Sequence, residues 1–428
     1  MKKLFFVLLL LLFAASIFTY LKMPSVGRDV PRLRWVVKES DMKNEQLVLF
    51  QEWLEENGYP EIEITLDTAH PNKDRNIVQG VSGVAGDILD CYEEQVPLYQ
   101  SVGILSDISE IAAEMGFDAS KTYPSVSGSM MVDGRQYAFP RNVGVLFNWV
   151  NLEAFEKAGL PPPPDIWTFE EFEEIGRAFV ENSNPPDERR TTYFCKPPSF
   201  KVRLIYLRSM GGDVYNETMT KSGLDSPLFE EIYEMIHRWT FALRIFPSAD
   251  EVKNLSSATA SGNAAMNRFA EGKYGLFNRP RWAIIFFREL GLRNLAVSEY
   301  PHGGFRNTII YYGACAIYEG SNQKEIAPYF LKFLTSERFN LHVAASGDSL
   351  PPIPKYMDTE EFLRPQEFPN EWGLHGRIRD IANDTSLPIS SSPYLLWNYI
   401  LRIEKKAYDK FSLNRSSARE ALQRRSKQ

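Results

Sequence analysis

Residues 33–67, LRWVVKESDMKNEQLVLFQEWLEENGYPEIEITLD, decide the fold class. Leu33 to Lys38 reads as a strand. Asp41 can cap a helix that runs to about Asn57, with Leu47, Phe50 and Leu54 on one face and Gly58 at its end. A second strand follows at Glu61 to Asp67, where Ile62, Ile64 and Leu66 alternate with polar neighbours. Strand, helix and strand in that order predict a parallel βαβ unit and therefore an α/β fold. Gly86 to Cys91 adds another short strand.

The pattern continues outward. Tyr137 to Val150 is a long extended stretch with Phe139, Val143, Val145 and Phe147. Asn151 caps a short helix carrying Leu152, Phe155 and Ala158, and Gly159 ends it. Pro161 to Pro164 form a stiff connector, after which Thr168 and Glu171 make a capping box. Phe169, Phe172, Ile175 and Phe179 supply the buried face of that helix. Gln323 to Phe339 also reads as helix, with Pro328 placing its regular start. Tyr394 to Phe411 is the last long helix, with Leu396, Ile400 and Ile403 inward. The basic residues beyond it, Arg415, Arg419, Arg424, Arg425 and Lys427, read as a solvated helix end.

The chain's 428 residues suffice for two domains. Its hydrophobic fraction, 44%, supports substantial cores, and the net charge of −7 disfavours a nucleic-acid partner. Lys2 and Lys3 precede an uncharged, leucine-rich run from Leu4 to Leu21, the pattern of an export segment. Ala14 and Ser16 offer a cleavage site, yet the run continues to a length that spans a bilayer. Residues 1–21 are therefore expected to be a signal peptide or an N-terminal apolar helix serving as membrane anchor. The first cysteine, Cys91, is too far along the chain for a lipid attachment site. Cys91, Cys195 and Cys315 are scattered and odd in number, as expected of buried small apolar residues.

Several segments in order carry a family resemblance. They are Asp133-Gly134-Arg135-Gln136-Tyr137-Ala138-Phe139-Pro140, Phe147-Asn148, Leu152 to Leu160 (LEAFEKAGL), and Trp167-Thr168-Phe169-Glu170-Glu171-Phe172. Glu271-Gly272-Lys273-Tyr274-Gly275-Leu276, Pro280-Arg281-Trp282, Tyr312-Gly313-Ala314-Cys315-Ala316-Ile317, Ala327 to Leu334 and Leu350-Pro351-Pro352 complete the series. Together they resemble the extracellular sugar-type solute-binding proteins of ABC importers, the group that includes maltose-binding protein. The resemblance spans nearly all of the chain beyond the N-terminal segment.

That resemblance implies a two-lobe periplasmic binding protein fold of type II, with lobes joined by a hinge that the chain crosses more than once. It divides the chain into 30–142 plus 298–319 for lobe 1, and 143–297 plus 320–428 for lobe 2. Crossings are expected near Arg141 to Gly144, Ala296 to Tyr300 and Glu319 to Asn322. It also implies capture of a sugar or oligosaccharide and delivery to ABC permease subunits, from the periplasm or cell surface, by a monomer that needs no cofactor or metal.

The chemistry of the residues agrees. An aromatic plane suits a sugar's C–H face, and charged or amide groups suit its hydroxyl edge. Trp282 occupies the family's stacking position; flanking Arg279 and Arg281 argue against the alternative of a core tryptophan. Adjacent Tyr311 and Tyr312 point to opposite faces of a strand, and Tyr312 is assigned to the ligand, with Gly313 beside it. Arg141, at an expected crossing, is a donor to hydroxyls or a carboxylate, or else a surface ion-pair partner. Glu39 and Asp90 end strands where ligand crevices of open sheets lie, with helix capping or a surface role as the alternative. Enzyme readings find less support. The five histidines form no metal-binding pair, and Gly80 to Gly86 departs from the dinucleotide fingerprint. An envelope-anchored sensor of the same fold, and a carbohydrate-active enzyme, remain the alternative functions.

Overall fold

A computed structural model describes residues 30–68, 73–256, 264–390, 392 and 394–423. The expected N-terminal helix, residues 1–21, lies outside the described residues, as do Arg424, Arg425 and Lys427. Among the described residues, no helix is long and apolar enough to cross a membrane.

The βαβ unit forms as its pattern predicts. Strand β1 (Arg32–Val36) and β2 (Glu63–Asp67) pair in parallel around the helix Asp41–Glu56. Ser40, rather than Asp41, occupies the N-cap position, and Asp41 lies in the first turn, where its charge suits the helix dipole. β3 (Ile88–Tyr92) joins β1 in parallel on the other side. A tight hairpin, β4 (Met131–Val132) and β5 (Arg135–Gln136), turns at Asp133 and Gly134, both with positive φ.

The long extended stretch becomes two strands in two different sheets. β6 (Phe139–Val145) belongs to the first sheet; β7 (Asn148–Asn151) lies in the second, between β8 (Leu276–Asn278) and β9 (Leu295–Ser298). The chain thus passes between sheets at Leu146 and Phe147, after the segment Arg141 to Gly144 where the passage was expected. It returns between Ser298 and Thr308, where β10 (Thr308–Ile317) runs antiparallel to both β3 and β6. A short β11 (Ser386–Leu387) completes the first sheet.

The third expected passage, Glu319 to Asn322, is not one. Helices Ala327–Phe333 and Glu337–Ser346 stay with the first sheet, although 320–428 was expected in lobe 2. The cause is their apolar face. Phe330 packs 4.9 Å from Trp35 of β1, and Phe333 5.4 Å from Phe50. The chain reaches the second core only with Ile389 and the helix Trp397–Ser412, after the helix Leu374–Asp384. In that last helix Ile400 is buried as expected, while Leu396, just before its first turn, is exposed.

Three apolar clusters follow. One lies beneath β1 with Trp35, Phe50 and Phe333. One fills the second lobe with Phe172, Phe194 and Trp239, covered by the helix Phe169–Ser183. That helix begins at the Thr168–Glu171 capping box, formed as its sequence predicts. The third cluster runs from Leu89 and Tyr312 of the first sheet to Trp149, Phe277 and Val297 of the second, and ties the lobes together. All three cysteines are free and buried.

Candidate functional site

Three predicted residues come together on the adjacent strands β3, β10 and β6. Arg141, on β6, reaches across β10 to Asp90 on β3. Its Nε donates to Oδ1 at 2.6 Å and its Nη2 to Oδ2 at 3.2 Å. Gly313 makes that reach possible. It lies opposite Asn142 at an irregular step of the ladder, and a Cβ there would stand 2.7 Å from Asn142 Oδ1 and 2.9 Å from Arg141 Nη2. Burial alone would lower the Arg141 pKa, but Asp90 outweighs it and holds the guanidinium above its ordinary value. Arg141 and Asp90 are thus a nearly buried bidentate pair, and Gly313 is the clearance beneath it.

The first turn of the helix Asp41–Glu56 points Lys43 at the same place. Burial lowers its pKa, and so does the Arg141 charge, while Asp90 and Asp348 oppose them. Asp348 follows the helix Glu337–Ser346 and accepts from the Ser349 hydroxyl at 2.5 Å. Glu39, at the end of β1, is exposed and makes no ion pair among the described residues.

The two tyrosines take opposite faces, but in the reverse assignment to that expected. Tyr312 is buried, 1% exposed, in the cluster that joins the sheets. Tyr311 is the half-buried one. Its ring covers Gly144 and carries Lys201 Nζ 4.6 Å from its centre. Strand alternation fixes that two faces exist; which face is core depends on what packs above β10, and a short pattern does not contain that.

Lys201 was not singled out from the sequence, nor was its partner Glu93. Lys201 stands on the helix Phe200–Ser209 of the second lobe, and Glu93 just after β3 of the first. Nζ lies 3.5 Å from Oε1, a loose pair in which Oε1 makes no hydrogen bond. Burial raises the Glu93 pKa to about 7, against the opposing charge of Lys201. The available signal was position: Glu93 follows a parallel strand of the first sheet at its C-terminal end, where open sheets place ligands. Lys201 has no comparable signal, because it meets Glu93 only through the folding of the second lobe.

Trp282 is half-buried at the start of the helix Ala283–Glu289, edge-on to Phe286 at 5.8 Å. Its neighbours divide. Arg279 is half-buried, whereas Arg281 is fully enclosed, contrary to the exposure expected of the flanking arginines. Arg281 donates to the Ser349 carbonyl at 2.7 Å and the Ala344 carbonyl at 2.8 Å, above the Phe362 ring. Burial, reinforced by Arg288, pushes its pKa down to about 9. Arg281 is therefore a strut that fixes the segment carrying Trp282.

The described groups can hold a polar ligand of modest size: a half-buried indole and phenol, carboxylates from the first lobe, and ammonium or guanidinium groups from the second. They include no group of three or more residues placed to hold a metal ion. A separate groove, between the helix Asp41–Glu56 and β2, is lined by Leu47, Gln51, Leu54 and Ile64 and carries no basic side chain.

Comparisons with known proteins fit this frame. Residues 49–370 match the model of the family described as bacterial extracellular solute-binding protein. Among solved structures, the chain is similar to an ABC substrate-binding protein of Listeria monocytogenes, determined with cycloalternan, at a TM-score of 0.75 and 17% identity. The match covers 92% of this chain and 97% of that one. The sugar-binding protein MalE of Xanthomonas citri matches at 0.74 and 15%, covering 92% and 95%. The GacH receptor of Streptomyces glaucescens, determined unliganded and with acarbose, matches at 0.70 and 17%, covering 92% and 96%. The architecture is the two-lobe, type II periplasmic binding protein fold. A search of the curated proteins finds no relative.

Proposed function

Because the chain belongs to the bacterial extracellular solute-binding proteins, we propose that it captures a sugar or oligosaccharide at the seam between its two lobes and delivers it to the membrane subunits of an ABC importer. The observation that supports this reading is the Asp90–Arg141 pair beside β10, where Tyr311 of the first sheet carries Lys201 of the second lobe on its ring, together with a half-buried Trp282. An indole and a phenol offer planes for a ring face, and flanking charges offer partners for hydroxyls. Asp348, Lys43 and Glu93 extend the polar set around them.

In this reading Trp282 and Tyr311 touch ligand, Arg141 and Asp90 supply a rigid polar wall, and Gly313 and Tyr312 support it from within. Glu39 stands at the rim. The protein works by binding and release rather than by turnover, outside the cytoplasmic membrane, with residues 1–21 as a cleaved signal or a retained anchor. Lobe 1 comprises the β1–β2–β3 half together with β10 and the helices to Ser346; lobe 2 comprises the β7–β8–β9 half and the helix Trp397–Ser412.

A thermal-shift survey across neutral and charged saccharides, followed by calorimetric titration, tests it. At least one saccharide is expected to raise the melting temperature and to come back chemically unchanged. If no saccharide binds, the reading fails; if the bound saccharide is cleaved or modified, binding without turnover fails.

A further inference from the structure

The second-lobe wall of the seam contains two cations that no carboxylate among the described residues neutralises. Lys196 and Arg279 follow directly after two residues that are bonded to each other, Cys195 and Asn278, whose side chains meet at 3.3 Å. They are thereby held side by side, and both lie against one aromatic ring: Lys196 Nζ is 5.2 Å, and Arg279 Cζ 5.3 Å, from the centre of Phe277. Neither forms an ion pair among the described residues. Among the described residues, Arg279 donates to the carbonyl of its own neighbour, Asn278, at 3.2 Å.

Such an arrangement is unfavourable in the empty protein. Both side chains are half-buried, and each charge repels the other. Burial lowers the Lys196 pKa to about 8, with Arg279 adding to it, and burial lowers that of Arg279 as well. A ring face recovers only part of this, of the order of 1 kcal/mol for an incompletely buried cation. Two other cations along the seam have partners: Arg141 with Asp90, and Lys201 with Glu93. The carboxylates there, Asp90, Glu93 and Asp348, stand on the first-lobe side, so the wall that holds Lys196 and Arg279 is cationic.

We infer that Lys196 and Arg279 form a subsite for an anionic substituent, and that the captured saccharide is acidic, bearing a carboxylate or a sulfate. This rests on the saccharide reading above and narrows it. Two donors against one ring suit the paired oxygens of such a group, and the guanidinium can engage it through two N–H bonds. The Phe277 ring beneath them leaves the anion as the remaining neutralising partner. Arg279 is also within electrostatic reach of Tyr311, which places the anionic group beside the ring-binding surface.

The test is calorimetric titration of the full protein with three probes: an oligogalacturonate, a sulfated oligosaccharide and a neutral oligosaccharide of matching length. Wild-type protein is expected to bind one of the acidic probes at least tenfold more tightly than the neutral one, with affinity falling as salt is raised. The better of the two identifies carboxylate or sulfate as the group. Arg279→Gln and Lys196→Gln should each remove at least tenfold of that affinity, while neutral binding falls far less and the melting temperature of the empty protein stays the same or rises. Equal affinity for neutral and acidic probes, or variants that bind the acidic probe as well as wild type, overturns the anion subsite and leaves the saccharide reading standing. Failure of all three probes, together with a negative survey of neutral sugars, overturns both.

Discussion

Trp282 and Glu93 make opposite demands on their surroundings, and each gives a test at the scale of one side chain. Trp282 is half-buried, so its removal should cost mainly binding. Trp282→Ala is expected to weaken saccharide affinity about ten- to thirtyfold, the equivalent of about 1–2 kcal/mol of stacking. Titration calorimetry and thermal melts on the same variant check it. A buried core tryptophan would instead cost about 3–5 kcal/mol of stability. Glu93 is the reverse case, because burial raises its pKa from 4.5 to about 7. The native state therefore holds this proton more tightly than the unfolded chain. Stability should fall as pH rises from about 4.5 to about 7, by about 3 kcal/mol in all. Glu93→Gln lacks that loss. Urea melts from pH 5 to pH 8 should show the variant gaining on wild type as pH rises, and a constant difference would contradict the assignment.

At the scale of elements, β10 is the strand on which the site depends. It lies between β3 and β6, and its glycine lets Arg141 cross to Asp90. Gly313→Ala should destabilise the protein by about 1–3 kcal/mol through crowding against the guanidinium. The penalty should shrink when Arg141 has already been shortened to alanine, a coupling that a double-mutant cycle in urea reads directly. Equal penalties in both backgrounds would mean that Gly313 makes room for Asn142 or the backbone and not for the guanidinium. Elements such as the βαβ unit and the capping box were legible because their information is local: periodicity, a cap, a terminal glycine. Partnerships such as Arg141–Asp90 and Glu93–Lys201 were not, since their members lie 51 and 108 positions apart and meet only through sheet order. Arg141 and Asp90 were each picked out singly, Arg141 from an expected crossing and Asp90 from the end of a strand. Tyr312 was assigned to the wrong face because alternation marks two faces without saying which is core.

The whole molecule is a pair of lobes tied by three passages and by one shared apolar cluster. The chain leaves the first sheet after Val145 and rejoins it at Thr308. Phe330 and Phe333 then pack on Trp35 and Phe50 and keep it with the first sheet well past β10. A division of this kind favours hinge motion, in which ligand stabilises the state where both lobes touch it. The Glu93–Lys201 contact runs from one lobe to the other and should loosen when the lobes part. Small-angle X-ray scattering, on protein first freed of any co-purified ligand, tests the central claim most directly. Saturation with a bound saccharide is predicted to reduce the radius of gyration and to leave the molecular mass unchanged. Saccharide binding that leaves the scattering profile unaltered would contradict capture between closing lobes.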